Sequence, residues 1–263
     1  MKNSLVLILA AMILLPALAG CGSGQAAKAQ VLARPGFPKM DVQYNQVSDD
    51  FRRSLWQFTA HTSAAAFSAG ADKNSLYSPM SLYYGLAMLE AGSAGQTKSD
   101  LRDFLAVSPD LALEEELGKL YALMTLDQKE ATEQIANALW IREDLVGDKG
   151  AGVKRAWLDQ LANNFYAAAF AVDFGDPETS GMMSDWVAEQ TRGKIKPQVD
   201  LSDPQLLLVL MNTVYFKANW REAFPENASF RNKFHGLDEV LEEVPYLKGS
   251  FDSVSVLLSE TFQ

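Results

Sequence analysis

The chain after residue 46 begins with apolar side chains repeated at the spacing of a helix. Val47, Phe51, Leu55 and Phe58 recur every three or four positions, with polar residues between them. This period places the apolar side chains on one face, so an amphipathic helix is predicted from Val47 to about Ala69. Such a helix must bury its apolar face against other elements, which predicts a helical layer in this part of the protein.

A second helix is predicted from its start and stop signals. Ser78 suits the N-cap position because its hydroxyl can accept a hydrogen bond from a free backbone N–H, and Pro79 suits the first turn. Gly92 is typical of a helix end. A second serine, Ser81, follows in the first turn, although a plain helix start needs only one. The apolar stripe of this helix is formed by Leu82, Leu86 and Leu89.

Two further helices are predicted before residue 125. Thr97 and Asp100 fit a capping pattern, which predicts a third helix that runs through Leu105. The pair Ser108-Pro109 is predicted to open a fourth helix. The apolar face of this fourth helix is formed by Leu113, Leu117, Leu120 and Met124.

Beyond residue 130 the pattern changes to continuous apolar runs. The run 133–141, EQIANALWI, predicts a strand that is covered on both faces. The run 205–216, QLLLVLMNTVYF, is a stronger strand signal and contains a single amide inside its apolar part, Asn212. Helices are predicted around 157–165 and from 182 to Gly193, with strands at 170–174 and 253–259. Helices followed by helices mixed with buried strands indicate an α+β (mixed) fold.

The first twenty residues predict an export signal. A short positive head precedes an apolar run, 5–18, which is too short to span a membrane stably. The run ends in LAGC at 18–21, which resembles a bacterial lipobox that is cleaved before Cys21 and acylated on it; the alternative is a signal peptide that happens to end near a cysteine. The predicted organisation is a lipoprotein signal peptide at 1–20, a lipidated tether at 21–45 and a folded domain at 46–263.

An acylated Cys21 would bind membrane lipid. Each buried CH₂ of an acyl chain contributes about 0.8 kcal/mol, so a multiply acylated terminus is held firmly. The expected location is therefore the bacterial cell envelope, where an exported, membrane-anchored lipoprotein faces the periplasm or the extracellular space.

Charge and motifs argue against several function classes. The formal net charge is −10, and no basic cluster with interleaved aromatic residues is present, which argues against a nucleic-acid partner. The two histidines, His61 and His235, belong to no H-E-x-x-H motif, and G-x-S-x-G and paired C-x-x-C motifs are absent. No catalytic residue, metal site or cofactor is predicted, and the chain is not expected to be an enzyme.

An ordered set of short motifs resembles the serpin family of serine protease inhibitors. NSLYSPMS at 74–81, with LAML at 86–89, is similar to that family's helix-B signature. IANALW at 135–140, VDF at 172–174 and LMNTVYFK at 210–217 resemble strands of its sheet A, and WV at 186–187 with GKI at 193–195 resembles its helix F. The pattern continues through Phe234 to VP at 244–245. Ser184, Ala218 and Ser229 depart from the residues usual in the family.

The resemblance implies a serpin-like fold with N-terminal helices packed on a large central β-sheet A. Ser78, Ser81 and Asn212 would form the "shutter", a polar contact beneath this sheet, because a buried amide without partners costs roughly 1–3 kcal/mol. Trp220 would lie in the "breach" at the top of the sheet. The plainer alternatives are a simple cap at Ser78, a small first-turn residue at Ser81 and an ordinary buried tryptophan at Trp220.

The resemblance also implies an activity. Serpins usually inhibit serine or cysteine proteases as suicide substrates, and the cleaved loop inserts into sheet A as a new strand. In the family the loop-bearing C-terminal third of the domain follows the position of Gln263, so no reactive-centre residue is assigned and this chain by itself is expected not to inhibit. Two hypotheses are open: an inhibitor active in its full-length form, and a non-inhibitory serpin-scaffold module that binds a partner on the envelope.

Overall fold

The computed structural model describes residues 29–39, 41–68, 75–127, 129–147, 152–225, 227–236 and 239–250. The helices are α1 (Asp49–Ser68), α2 (Pro79–Gly92), α3 (Gly95–Phe104), α4 (Leu113–Met124), α5 (Arg155–Asn164) and α6 (Pro177–Gln190). The strands are β1 (Gln30–Ala33), β2 (Leu126–Asp127), β3 (Ala131–Arg142), β4 (Ala167–Val172), β5 (Leu208–Ala218), β6 (Ser229–His235) and β7 (Val240–Leu247). The predicted strand at 253–259 and the predicted lipidation residue Cys21 lie outside the described residues.

The main sheet is built around β3, the longest strand in the described part of the chain. β4 pairs with β3 in parallel, and β1 pairs with the far side of β4 antiparallel. β5 pairs antiparallel with the opposite side of β3, and the two-residue β2 pairs with the beginning of β3. A separate hairpin is formed by β6 and β7. The mixed sheet with its helices is the predicted α+β fold.

The main sheet is covered on both faces, as the continuous apolar runs predict. Alternate residues of a strand point to opposite faces, so Leu139 and Ile141 join the core formed with α1, α2, α4 and α5. Trp140 points the other way and stacks on Phe170, with ring centroids 4.4 Å apart, in the second core beneath α6.

The structure confirms the bounds predicted for the second helix, α2. Ser78 is the N-cap, Pro79 opens the helix, and Gly92 is its last residue. A Cβ at Gly92 would lie 2.6 Å from the indole of Trp157, whose Nε1 donates a hydrogen bond to the carbonyl of Met88. Glycine therefore both ends α2 and leaves room for α5 to pack against it.

The predicted starts of the third and fourth helices are wrong. α3 begins at Gly95 with Ala94 as its N-cap and no side-chain cap, while Gln96 donates to Asp100 within the helix. α4 begins at Leu113 rather than at Ser108-Pro109, because the segment 108–111 forms a turn whose carbonyls accept hydrogen bonds from the Arg102 guanidinium of α3. At α4 this contact between elements outweighs the local capping pattern.

The strand β1 lies within the segment 21–45, which the sequence predicted to be a tether outside the folded domain. Val31 pairs with Phe170, and Ala33 is buried. The Arg155 guanidinium donates to the carbonyl of Leu32, and the backbone N–H of Gly36 donates to Ala162. β1 is too short to show a periodic pattern: Ala33 is its one fully buried residue, and Leu32 packs against the core while half-buried.

The strand predicted at 170–174 lies earlier, at Ala167–Val172. Three of its residues are Ala167, Ala168 and Ala169, which favour helices when judged alone. The parallel pairing with β3 places Ala167 and Ala169 in the core close to the helical layer, where small side chains allow close packing. Tertiary packing therefore overrides their intrinsic preference.

We expect the free energy of unfolding to fall as the pH rises above 10. Burial raises the pKa of Tyr84 well above its ordinary value of 10.0, and burial likewise raises the pKa of Tyr83. Both stay neutral in the folded protein while the unfolded chain ionises, so stability is unchanged below pH 10 and falls above it, by up to about 1.4 kcal/mol per pH unit for each group. Denaturant titrations at several pH values above 10 give the free energy of unfolding at each pH. This free energy should fall less steeply with pH for Tyr84→Phe than for the parent, and an equally steep fall in both would contradict the assignment.

Candidate functional site

Two asparagines face each other in the middle of the main sheet. Asn137 of β3 lies directly opposite Asn212 of β5. The Asn212 amide donates to Asn137 Oδ1 at 2.6 Å, and the Asn137 amide donates to the carbonyl of Phe165 at 2.7 Å. Asn137 is only 2% exposed. The chain of hydrogen bonds ties β5 to β3 and to the end of α5, within otherwise apolar strands.

The same part of β5 carries buried polar atoms without hydrogen bonds. Asn212 Oδ1 and Thr213 Oγ1 have no partner among the described residues. Because they are consecutive in a strand, their side chains point to opposite faces of the sheet. A buried unsatisfied polar atom costs about 1–3 kcal/mol, so this segment would gain from an added hydrogen-bond donor.

The outer edge of β5 is open within the described part of the chain. β5 pairs with β3 along all eleven of its residues, and its other edge has no strand beside it there. A strand edge presents a row of backbone N–H and C=O groups that can pair with a further strand. The open edge and the unsatisfied atoms of Asn212 and Thr213 together form the candidate site.

The two serines of the predicted shutter contact each other. The Ser81 hydroxyl donates to Ser78 Oγ at 2.9 Å, and the Ser81 backbone N–H also donates to Ser78 Oγ. The amide of Asn212 bonds to Asn137 instead of to either serine. Asn212 lies on the same face of the sheet as Leu208 and Leu210, which pack with the core that contains α2. The shutter role of the three residues stays a prediction.

Asn137 was not predicted from the sequence as a member of this site. The signal was present, because Asn137 is the single amide within the apolar segment IANALWI, just as Asn212 is within its own strand. Only the antiparallel register of β3 and β5 shows that the two amides are opposite each other.

Trp220 lies just beyond the end of β5 and is 76% exposed. Its ring meets Phe224 edge-on, with the centroids 6.4 Å apart. The alternative of an ordinary buried tryptophan is therefore wrong, and the breach role stays a prediction.

A buried ion pair joins α2 to α3. The Glu90 carboxylate is 3% exposed and lies 3.0 Å from Arg102 Nη1 and 3.4 Å from Lys98 Nζ. The second guanidinium nitrogen of Arg102 donates to the carbonyls of Ser108, Pro109 and Leu111. This cluster fixes the turn before α4 and is structural.

Within the described residues, no three histidine, cysteine, aspartate or glutamate side chains are grouped as metal ligands would be. Among those same ranges, no helix has the length and apolar character needed to cross a membrane.

The arrangement defines a class of protein: a mixed sheet, covered on both faces, with one open strand edge that has buried polar atoms beside it. The family model for serpins (serine protease inhibitors) matches residues 54–259. The chain therefore belongs to the serpin family.

Individual relatives agree with this assignment. The chain is 28% identical over 221 residues to a serine protease inhibitor of Mus musculus, covering 82% of this chain and 50% of the relative. It is 30% identical to a plasma serine protease inhibitor of Bos taurus, over 70% of this chain and 45% of that protein. The chain thus spans about half the length of the curated relatives it matches.

Solved structures show the same fold. The native state of the thermophilic serpin tengpin aligns with a TM-score of 0.63 at 23% identity, over 84% of this chain and 55% of tengpin. The native stressed form of a serpin from Arabidopsis aligns with a TM-score of 0.65 at 25% identity, over 77% of this chain and 53% of that one.

Proposed function

We propose that the protein in its full-length form inhibits a serine or cysteine protease, and that an extended segment of the reactive loop of that form joins the main sheet at the open edge of β5. The observation that carries this proposal is the unpaired edge of β5 with the buried, unsatisfied Asn212 Oδ1 and Thr213 Oγ1 beside it, within the described residues. Membership of a family of protease inhibitors supports the choice of target.

Strand addition at this edge has a plain driving force. Each new backbone hydrogen bond contributes about 0.5–1.5 kcal/mol net, and β5 offers its full length without a bulge. Donors on the incoming strand or beside it could also reach Asn212 and Thr213. Leu208, Val209, Leu210 and Met211 are half-buried, so a neighbouring strand would cover apolar surface as well.

The test is covalent trapping. We expect the full-length protein, purified after expression from its own gene, to form an SDS-resistant one-to-one complex with at least one member of a panel of serine and cysteine proteases. Protease whose nucleophile has been blocked beforehand should form none, because the trapped species is an acyl-enzyme. Cleavage without any stable complex across the panel would contradict inhibition and favour the non-inhibitory alternative.

That alternative, a serpin scaffold that binds a partner, is favoured by one observation. The β6–β7 hairpin exposes several large apolar side chains, and an exposed apolar surface is typical of a protein contact. These side chains are Phe230, Phe234, Val240, Leu241 and Leu247.

We also propose that Cys21 is acylated and holds the protein on a membrane of the bacterial envelope. Support for the anchor comes from the LAGC segment at 18–21 and from Cys21 being the only cysteine in the chain. The partner of the anchor is lipid, and the partner of the folded domain is a protease.

A further inference from the structure

We propose that the anchored protein is held with one particular end of its main sheet toward the lipid surface: the end at which β4 finishes and β5 begins. The opposite end, with Trp220, then points away from the membrane. This inference rests on the proposed acylation of Cys21 and adds an orientation to it.

The first step is that β1 is part of the folded body. It pairs with β4 from Gln30 to Ala33, and Arg155 of α5 donates to its Leu32 carbonyl. Just after β1, the Gly36 N–H donates to the carbonyl of Ala162 in α5. The point at which the tether joins the body is therefore Gln30, not residue 45.

The second step is the position of Gln30 in the sheet. The registers place Gln30 beside Ala171, Ala171 beside Ile141, and Ile141 beside Leu208. These four residues form one row across the sheet, at the end where β3 and β4 finish and β5 starts. The tether leaves the molecule from this row.

The reach of the tether is about equal to the length of β5. Cys21 precedes Gln30 by nine residues, which reach at most about 31 Å when fully extended. β5 runs from the row at Leu208 to Ala218, and ten residue steps along a strand are about 33 Å. Standing the sheet upright on its Ala218 end would require the tether to span about the whole length of β5, which is about its full extension, whereas standing it on the Leu208 end requires almost none.

The consequence concerns access to the site. The Trp220 end of the open β5 edge faces the surrounding medium, where a protease can approach it. The Leu208 end lies nearest the bilayer.

The inference can be tested with two matched labels. Cys21 is the only cysteine, so once it is acylated an introduced cysteine is the single free thiol. Gln205→Cys and Asn219→Cys replace exposed polar residues just before and just after β5. Each lipidated variant is placed in vesicles of phosphatidylethanolamine and phosphatidylglycerol that contain a headgroup acceptor dye, and energy transfer from the labelled thiol is measured.

We expect transfer from position 205 to exceed that from position 219 by about twofold or more, because the two sites differ by roughly 35 Å along the strand. A flexible insertion of about twenty residues after Gln25 should reduce the difference, since the longer tether allows the body to turn over. Equal transfer from both positions, or greater transfer from 219, would overturn the orientation.

Acylation of Cys21 is tested separately from the orientation, by fatty-acid labelling and vesicle flotation. A Cys21→Ala chain should take up no labelled fatty acid and should not float with vesicles, whereas the parent should do both. Absence of label and flotation in the parent refutes the acylation. An anchored parent without the predicted difference in transfer refutes only the orientation.

Discussion

Replacing Arg102 by methionine is expected to lower the free energy of unfolding by about 3 kcal/mol or more. The substitution leaves the buried carboxylate of Glu90 without its nearest cation, and it leaves the carbonyls of Ser108, Pro109 and Leu111 without their shared donor. Methionine keeps most of the apolar length of the side chain, so the loss reports on charge and hydrogen bonding. Denaturant titration of both chains gives the difference.

Lys98→Met is the matched control, because Lys98 points at the same oxygen of Glu90 but is 43% exposed. We expect it to cost less than about 1 kcal/mol, as exposed ion pairs do. A second variant, Glu90→Leu combined with Arg102→Met, should regain part of the lost stability by removing the unpaired charge. If Arg102→Met and Lys98→Met lowered the free energy of unfolding equally, the buried pair of Glu90 and Arg102 would not be what stabilises the contact between α2 and α3.

Asn137→Leu is expected to cost about 2–4 kcal/mol, since it leaves two buried groups without partners, at about 1–3 kcal/mol each. These groups are the amide of Asn212 and the carbonyl of Phe165. The measurement is again the free energy of unfolding. Gln134→Leu is the control: this half-buried amide of the same strand bonds to Gln190 on α6, at 3.2 Å, and its loss should cost less than about 1 kcal/mol.

A double-mutant cycle separates the pair from its surroundings. Asn212→Leu removes the unsatisfied Oδ1 together with the donor, so its cost should be smaller than that of Asn137→Leu. The coupling energy between the two positions should fall in the range of about 0.5–3 kcal/mol typical of residues in contact. A coupling near zero would mean that the hydrogen bond between the asparagines does not stabilise the sheet.

Elements with strong local signals were the ones that the sequence predicted well. The cap at Ser78 and the stop at Gly92 give the bounds of α2. The apolar stripe predicted between them was wrong, because Leu82 is exposed and Leu86 and Leu89 are only half-buried. The buried apolar face is formed by Tyr83, Tyr84, Ala87 and Met88. The long apolar runs likewise predict β3 and β5, because a strand buried on both faces has no polar side to display.

The errors arose where contacts between elements decide the local structure. Arg102 of α3 fixes the turn that delays the start of α4, and the capping signal at Ser108-Pro109 does not indicate this contact. β1 is a strand only because β4 offers it an edge. The partnership of Asn137 with Asn212 depends on the register of strands that are 75 residues apart.

The pairing of β1 with β4 has a consequence for the order of folding. The ribosome makes Val31 long before Phe170, its partner 139 residues further along the chain. The entropy lost on closing so long a loop grows with the logarithm of its length, and four residues recover little of it alone. We therefore expect β1 to dock only after β3, β4 and α5 have assembled, so that a newly made chain carries its first strand undocked until most of the main sheet exists.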